Sequence, residues 1–302
     1  RTGGCIHYAG GTISGAGILD MDGAMSGTGT VTCIVLAGSG TSEETAFQIP
    51  NLATLEYYRD KINNGESNYP SAYYEVTKNI DMSTDYGADV NGGTSWTPIG
   101  TVSTPFTGTF DGGNCEISGL YVNSTSDEQG LFLSLAKGGT IKNLRLSGTV
   151  TGGSYVGGLA GRNHGTIENC QSAVSVSGTV QAIGGLVGFN NGTISNSENS
   201  GTVKGMMSVG GVAGYNSNNC EMNGCVNTGS ITGTVMYTGG VVGMNNGGII
   251  SGCENSGTIY GEAYTGGVAG HMVSVTAGAE ADAVIENCNN TGTVSGTNII
   301  GG

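Results

Sequence analysis

The feature that most constrains this chain is a repeat. "VGGLAGRNHGTIENC", Val156 to Cys170, returns 27 residues later as "IGGLVGFNNGTISNS", Ile183 to Ser197. It continues as "VGGVAGYN" from Val209, "TGGVVGMNNGGIISGC" from Thr238 and "TGGVAGHM" from Thr265, and "IIGG" at the end reads as the opening of another copy. The first glycines of the pairs, Gly157, Gly184, Gly210, Gly239, Gly266 and Gly301, are spaced by 27, 26, 29, 27 and 35 residues. A period in the twenties marks a stacked, quasi-one-dimensional architecture. A degenerate earlier copy is visible in "QGLFLSLAKGGTIKNL".

Within each copy the segments are short, rich in β-branched residues and bounded by Asn and Gly, as strands joined by tight turns are. A second signature follows, in "SENSGTVKG" from Ser197, "CVNTGSITG" from Cys225, "CENSGTIYG" from Cys253 and "CNNTGTVSG" from Cys288. About three strands per copy cannot bury their own apolar face, but strands stacked on their equivalents about 4.8 Å away can. The chain is therefore expected to be all-β, a parallel β-helix (β-solenoid) with coils of about 27 residues. The expected inward rows are Leu159, Leu186, Val212, Val241 and Val268; Ile167 and Ile194; and Val203, Ile231, Ile259 and Val294. Asn163, Asn190, Asn216 and Asn245 recur at one turn, where an amide ladder and a left-handed backbone are both expected.

Composition narrows the function classes. With 59 Gly, 5 Phe and 1 Trp among 302 residues, the composition argues against a conventional globule with a bulky core. The charge of -14, with 9 Lys and Arg, argues against nucleic acid or an anionic membrane as partner. No run of about 18 apolar residues offers membrane insertion. "TGGC" before Ile6 faintly matches a lipoprotein signal ending at Cys5, but the apolar segment it needs is missing.

Upstream of the repeats, "NLATLEYYRDKINNG" sets Leu52, Leu55, Tyr58 and Ile62 on one helical face, with Asn51 as cap and Gly65 as stop. One amphipathic helix before a solenoid suits a lid over the first coil. The expected division is a Gly-rich segment at 1–40 with one strand from Thr30, a helix-containing capping region at 41–128 and the solenoid repeats at 129–302.

"GGLAGRNHGTIENC" and "GGLVGFNNGTISN" resemble the GLUG motif of bacterial surface proteins, and the block from "GTSEETAFQIPNLATLEYYRDKIN" to "GLFLSLAKGGTIKNL" is similar to the segment that leads into such repeats. The resemblance covers about residues 40 to 302 and implies a parallel β-helix on an exported bacterial protein, at the cell surface or beyond it. Such repeats occur in adhesins, protease stalks and uncharacterised surface proteins. The pattern is broken at Met272 to Ala283 and at "NSNNCEMNGC", where protruding loops or strained turns are expected.

Among reactive residues, Cys170, Cys225, Cys253 and Cys288 share a position filled by Ser197 in one copy, which favours an inward column of free thiols over disulfides. Asp81, Asp85 and Asp89 offer oxygens for calcium but lack EF-hand spacing, so a solvated loop and no cofactor is the expectation. No G-x-S-x-G, HExxH or P-loop is present. Glu168, Glu221 and Glu286 lie at similar repeat positions, and a solvated acidic stripe is favoured over catalytic carboxylates.

If Leu159 faces inward, Ala160 and the residue two further on face outward, and that second position reads Arg162, Phe189, Tyr215, Met244 and His271. Tyr155, Tyr237 and Tyr264 offer a second stripe. Aromatic side chains on a rigid face suit stacking on a host glycan or meeting a surface protein. The expected function is a non-enzymatic bacterial surface adhesin or structural scaffold binding along one face. The alternatives are a carbohydrate-active β-helix enzyme or a fibre subunit self-associating through exposed coil ends. Ice binding is disfavoured because T-x-T arrays are missing.

Overall fold

The computed structural model describes residues 36–90, 93–273 and 282–301. Cys5, and the strand expected from Thr30 apart from its last two residues, lie outside them. The chain coils into a parallel β-solenoid of about eight turns with one helix near the N-terminus. In one representative coil Ala160–Asn163 joins a six-stranded sheet, Thr166–Glu168 a nine-stranded sheet and Gln171–Gly178 a third, 14-stranded one. The next coil follows in register, with Ala160 beside Val187, Ile167 beside Ile194 and Val176 beside Val203. The sequence period is thus the circumference of the coil.

Register stacks like on like. One buried row runs Tyr74, Phe110, Ile141, Ile167, Ile194, Met222 and Ile250 before ending on half-buried Ile285. Another runs Val122, Val150, Val176, Val203, Ile231, Ile259 and Val294. Leu159, Leu186, Val212 and Val241 are fully buried, and each donates its N–H to the carbonyl of its equivalent in the next coil. Fully burying such a side chain contributes roughly 1.5–3 kcal/mol, so a thin core gains its stability serially.

The expectation that Ala160 faces outward is corrected: Ala160, Val187, Ala213 and Val242 are all buried. Leu159 and Ala160 both donate to the Leu186 carbonyl, at 2.9 and 3.2 Å. The same double donation recurs from Leu186 and Val187 to Val212, and from Val212 and Ala213 to Val241. This bulge-like step breaks the two-residue alternation, so consecutive side chains both enter the core.

The glycine pairs have separate causes. A Cβ on the first glycine, as at Gly184, Gly210 or Gly239, would collide with the carbonyl oxygen three residues on. On the second, as at Gly185 or Gly211, it would collide with the side-chain amide of Asn199 or Asn227. The third glycine of each copy, Gly188, Gly214 or Gly243, lies against the backbone of Tyr155, Ala182 or Ser208 in the preceding coil.

Two buried asparagine ladders thread the solenoid. Asn163, Asn190, Asn216 and Asn245 pass Nδ2 to Oδ1 at 2.8, 2.8 and 2.9 Å. The second, Asn199, Asn227, Asn255 and Asn290, does so at 2.8, 2.7 and 2.7 Å, and its asparagines also donate to the carbonyl two residues on. The left-handed backbone expected at the first ladder belongs to a different column, Asn143, Asn169, Asn196 and Asn287 with Gly224 and Gly252. The ladder asparagines are held for their amides, and the turn asparagines for their backbone.

The helix α1, Leu52–Asn63, forms as expected. Asn51 Oδ1 accepts from Thr54 N at 3.0 Å. Gly65, at φ +64°, and Glu66 close the C-terminus by donating to Ile62 and Lys61 carbonyls. Buried Leu55, Tyr58 and Ile62 join the common core, and the Tyr58 ring lies 5.0 Å from Phe47 and 5.2 Å from Tyr74. Phe47 is in the edge strand of the nine-stranded sheet, so the helix covers the end where stacking begins. At the opposite end Ile299 and Ile300 are exposed.

Asn227→Ala is expected to destabilise the fold by roughly 2–4 kcal/mol, because it opens a cavity and strips partners from buried amides above and below. Gly211→Ala is expected to cost at least as much by forcing Asn227 aside. Urea unfolding followed by circular dichroism measures both; an unchanged midpoint for either would refute the ladder's structural role.

Candidate binding surface

The outer position forms one in-register column: Arg162 beside Phe189, Phe189 beside Tyr215, Tyr215 beside Met244 and Met244 beside His271. All five side chains are half-buried. Phe189 and Tyr215 stack at 5.1 Å and 14°. The backbone spacing between coils is close to the stacking distance of flat rings, so the column forms without special adjustment.

Tyr155, Tyr237 and Tyr264 belong to the same surface. They occupy a left-handed corner column, with φ +57°, +61° and +54°, together with Glu128, Ala182 and Ser208. Three of these corner residues meet the outer residue of the following coil. Glu128 accepts from Arg162 Nε at 2.6 Å, Tyr155 sets its edge against Phe189 at 5.8 Å, and Tyr237 stacks on His271 at 4.5 Å and 14°. Tyr264 lies 5.4 Å from Tyr237 and 5.8 Å from His271. Between these two clusters the corners are Ala182 and Ser208, too small to flank the next outer residues, Tyr215 and Met244. The eight side chains expected from sequence are thus brought together; sequence reasoning missed Glu128, whose place in the corner column is visible only once register is known.

Arg162 is the polar hinge of the stripe. Its guanidinium carbon lies 4.0 Å from the Tyr155 ring and 5.2 Å from Phe189, while Glu128 balances its charge. Beside it, burial and the Arg162 charge hold the His164 pKa below its ordinary value, and its Nδ1 lies 2.9 Å from Asn191 Nδ2.

Other candidates do not converge. Glu168 and Glu286 share a column through Ser195, Asn223 and Ser251, four coils and so about 19 Å apart. Glu221 pairs instead with Thr193, two residues earlier in the strand, because "EMNGC" puts three residues between Glu and Cys where "ENC" puts one. Glycosidic carboxylates need separations of about 5–9.5 Å, which this trio does not offer. Asp81 accepts from its own loop at Ser83 N, and Asp85 from Thr84. Among the described residues no three His, Cys, Asp or Glu side chains are grouped as a metal site.

Cys170, Cys225, Cys253 and Cys288 are free thiols in one column with Ser197. The Cys225 and Cys253 amides each donate to the next thiol at 3.4 Å, and Cys170 donates to Ser197 Oγ at 3.1 Å. Burial pushes the Cys170 thiol up to about 12, so it is protonated and unreactive at neutral pH.

The molecule is therefore a β-solenoid with one long face dressed by aromatic and polar side chains. It carries GLUG repeats: residues 152–177 and 179–204 match the GLUG motif. Over 155 residues, half of this chain, it is 34% identical to Halomucin of Haloquadratum walsbyi. Over 140 residues, 45% of the chain, it is 32% identical to a provisionally named Gly-rich membrane protein of Evansella cellulosilytica. The matches span only 2% and 15% of those relatives' lengths. A crystal structure from Bacteroides ovatus, provisionally called an immunoglobulin A1 protease, shares the fold with a TM-score of 0.62 and 18% identity, covering 87% of this chain and 86% of that one. Among the described residues no helix is long and apolar enough to cross a membrane.

Native-state alkylation at pH 8, read by peptide mass spectrometry, is expected to modify half-exposed Cys115 and Cys288 well before Cys170 and Cys225. Equal rates would refute the buried thiol column.

Proposed function

We propose that this chain is part of an exported bacterial surface protein and acts there as a non-enzymatic adhesive module, binding a glycan along its outer stripe. The observation that carries this reading is the stripe itself, where half-exposed rings are held in register on a frame that has no rotational freedom between coils. Aromatic faces presented this way suit the apolar faces of sugar rings, and pre-ordering removes part of the entropic cost of binding. The names of the two curated relatives support a place at or beyond the cell envelope. The likeness to the Bacteroides ovatus structure supports the fold and is silent on activity.

The middle of the stripe, around Tyr215 and Met244 and beside Phe189, is where a ligand gains access, because Ala182 and Ser208 leave Tyr215 and Met244 without a large corner side chain. A glycan and mucin array screened with the 302-residue chain and with Phe189→Ala/Tyr215→Ala tests the reading. Selective binding that falls at least tenfold in the variant, with unchanged circular dichroism, is expected. Failure of the chain to retain any glycan would make this segment a passive spacer.

A further inference from the structure

The stripe ends in a cleft. Toward the helix-covered end the outer column passes from Arg162 to Ser134, where a small side chain replaces a large one. The gap is walled on its far side by Val102 and Pro105 and on its near side by Arg162 and His164, with Ala136, Lys137 and Glu128 completing it. Its volume is about 410 Å³, within the range of pockets that hold small ligands.

The charge in this cleft is at odds with that of the chain. The molecule has 23 acidic residues against 9 Lys and Arg, yet Lys137 and Arg162 meet here with a single carboxylate, Glu128, beside a His164 whose pKa is held below its ordinary value. Glu128 offsets Arg162 through Nε, which leaves the Nη groups for another acceptor. Lys137 is exposed and has no ion-pair partner among the described residues. A surplus positive charge on a half-enclosed wall attracts an anion, and a guanidinium beside it selects a planar carboxylate. The remaining walls, Val102, Pro105 and Ala136, are apolar, and Phe189 stands 5.2 Å from the guanidinium.

We infer that this cleft is a subsite for a carboxylated sugar, its carboxylate held between Lys137 and Arg162 and its ring lying on Val102 and Pro105. The inference rests on the glycan-binding reading above and adds the chemical class. It gives the stripe a direction, because a glycan with one acidic residue would dock that residue here and lay its neutral neighbours along Phe189 and Tyr215.

The test uses the whole chain and isothermal titration with two probes, tri-galacturonate and sialyllactose, each beside its methyl ester. At least one acid is expected to bind, with its ester at least tenfold weaker, and with affinity falling severalfold between 50 and 500 mM salt as screening predicts. Lys137→Gln, at an exposed position with no ion-pair partner among the described residues, is expected to keep the parent circular dichroism and to lower affinity for the acid by about tenfold while leaving the ester unchanged. Esters binding as well as acids, or Lys137→Gln binding as tightly as the parent, would overturn the inference. Array binding of neutral glycans that depends on Phe189 and Tyr215, with no binding of either acid, would overturn the acidic subsite and leave the adhesive reading standing. Binding of nothing at all would overturn both.

Discussion

Everything in this molecule depends on parallel, in-register pairing of each coil with the next. That pairing satisfies the backbone of short strands that have no partner within their own coil. It also fixes which side chains touch: equivalents, and almost nothing else. A residue type is therefore favoured inside when it packs on copies or near-copies of itself. Ile on Ile, Val on Val and the Asn-to-Asn amide bond meet this condition. Toward the helix-covered end large aromatic side chains enter the core, where Tyr74 stacks in register on Phe110 and Phe132 sets its edge against Phe110 at 5.3 Å.

The asparagine ladders and the glycine pairs are two sides of one solution. A buried primary amide is costly unless both ends are bonded, and a column of identical amides bonds each to the next at no cost in shape. The column needs room, and the second glycine supplies it by having no Cβ where Asn199 or Asn227 lies. Glycine is thus used here for space. Where the chain instead needs a left-handed backbone at the turn after the nine-stranded sheet, it uses Asn at four places and Gly at two, as turn chemistry allows.

Much of this is legible in the sequence. The period gave the coil, the β-branched positions gave the rows, and the capped amphipathic segment gave α1 with its face of Leu55, Tyr58 and Ile62. The outer column from Arg162 to His271 was also legible, from its large and varied side chains, although the alternation that led to it from Ala160 fails, since Ala160 is buried and Arg162 is half-exposed. What stayed hidden depends on geometry between coils. The second asparagine ladder was present in each "N-[ST]-G" but had no marker separating it from a turn. The double donation at Leu186 breaks alternation by hydrogen bonding alone, so Ala160 was placed on the wrong side. The meeting of Tyr155 with Phe189, and of Glu128 with Arg162, joins residues 34 apart, more than one period, and no one-period alignment of copies reveals it.

The corner tyrosines bear on function most directly. At φ near +57° a residue with a Cβ is disfavoured by about 1–2 kcal/mol relative to glycine, which the chain uses freely elsewhere. Ala182 and Ser208 fill the same corner, so a large ring is not required for the turn. Tyr155, Tyr237 and Tyr264 therefore occupy a strained position that smaller residues fill equally well, and their rings are half-exposed or more. The strain belongs to the corner itself, since Ala182 and Ser208 carry it too; what sets the tyrosines apart is the ring each one places on the stripe. Their rings bound the two ends of the stripe, Tyr155 against Phe189 on one side and Tyr237 and Tyr264 against His271 on the other, with Tyr215 and Met244 between them.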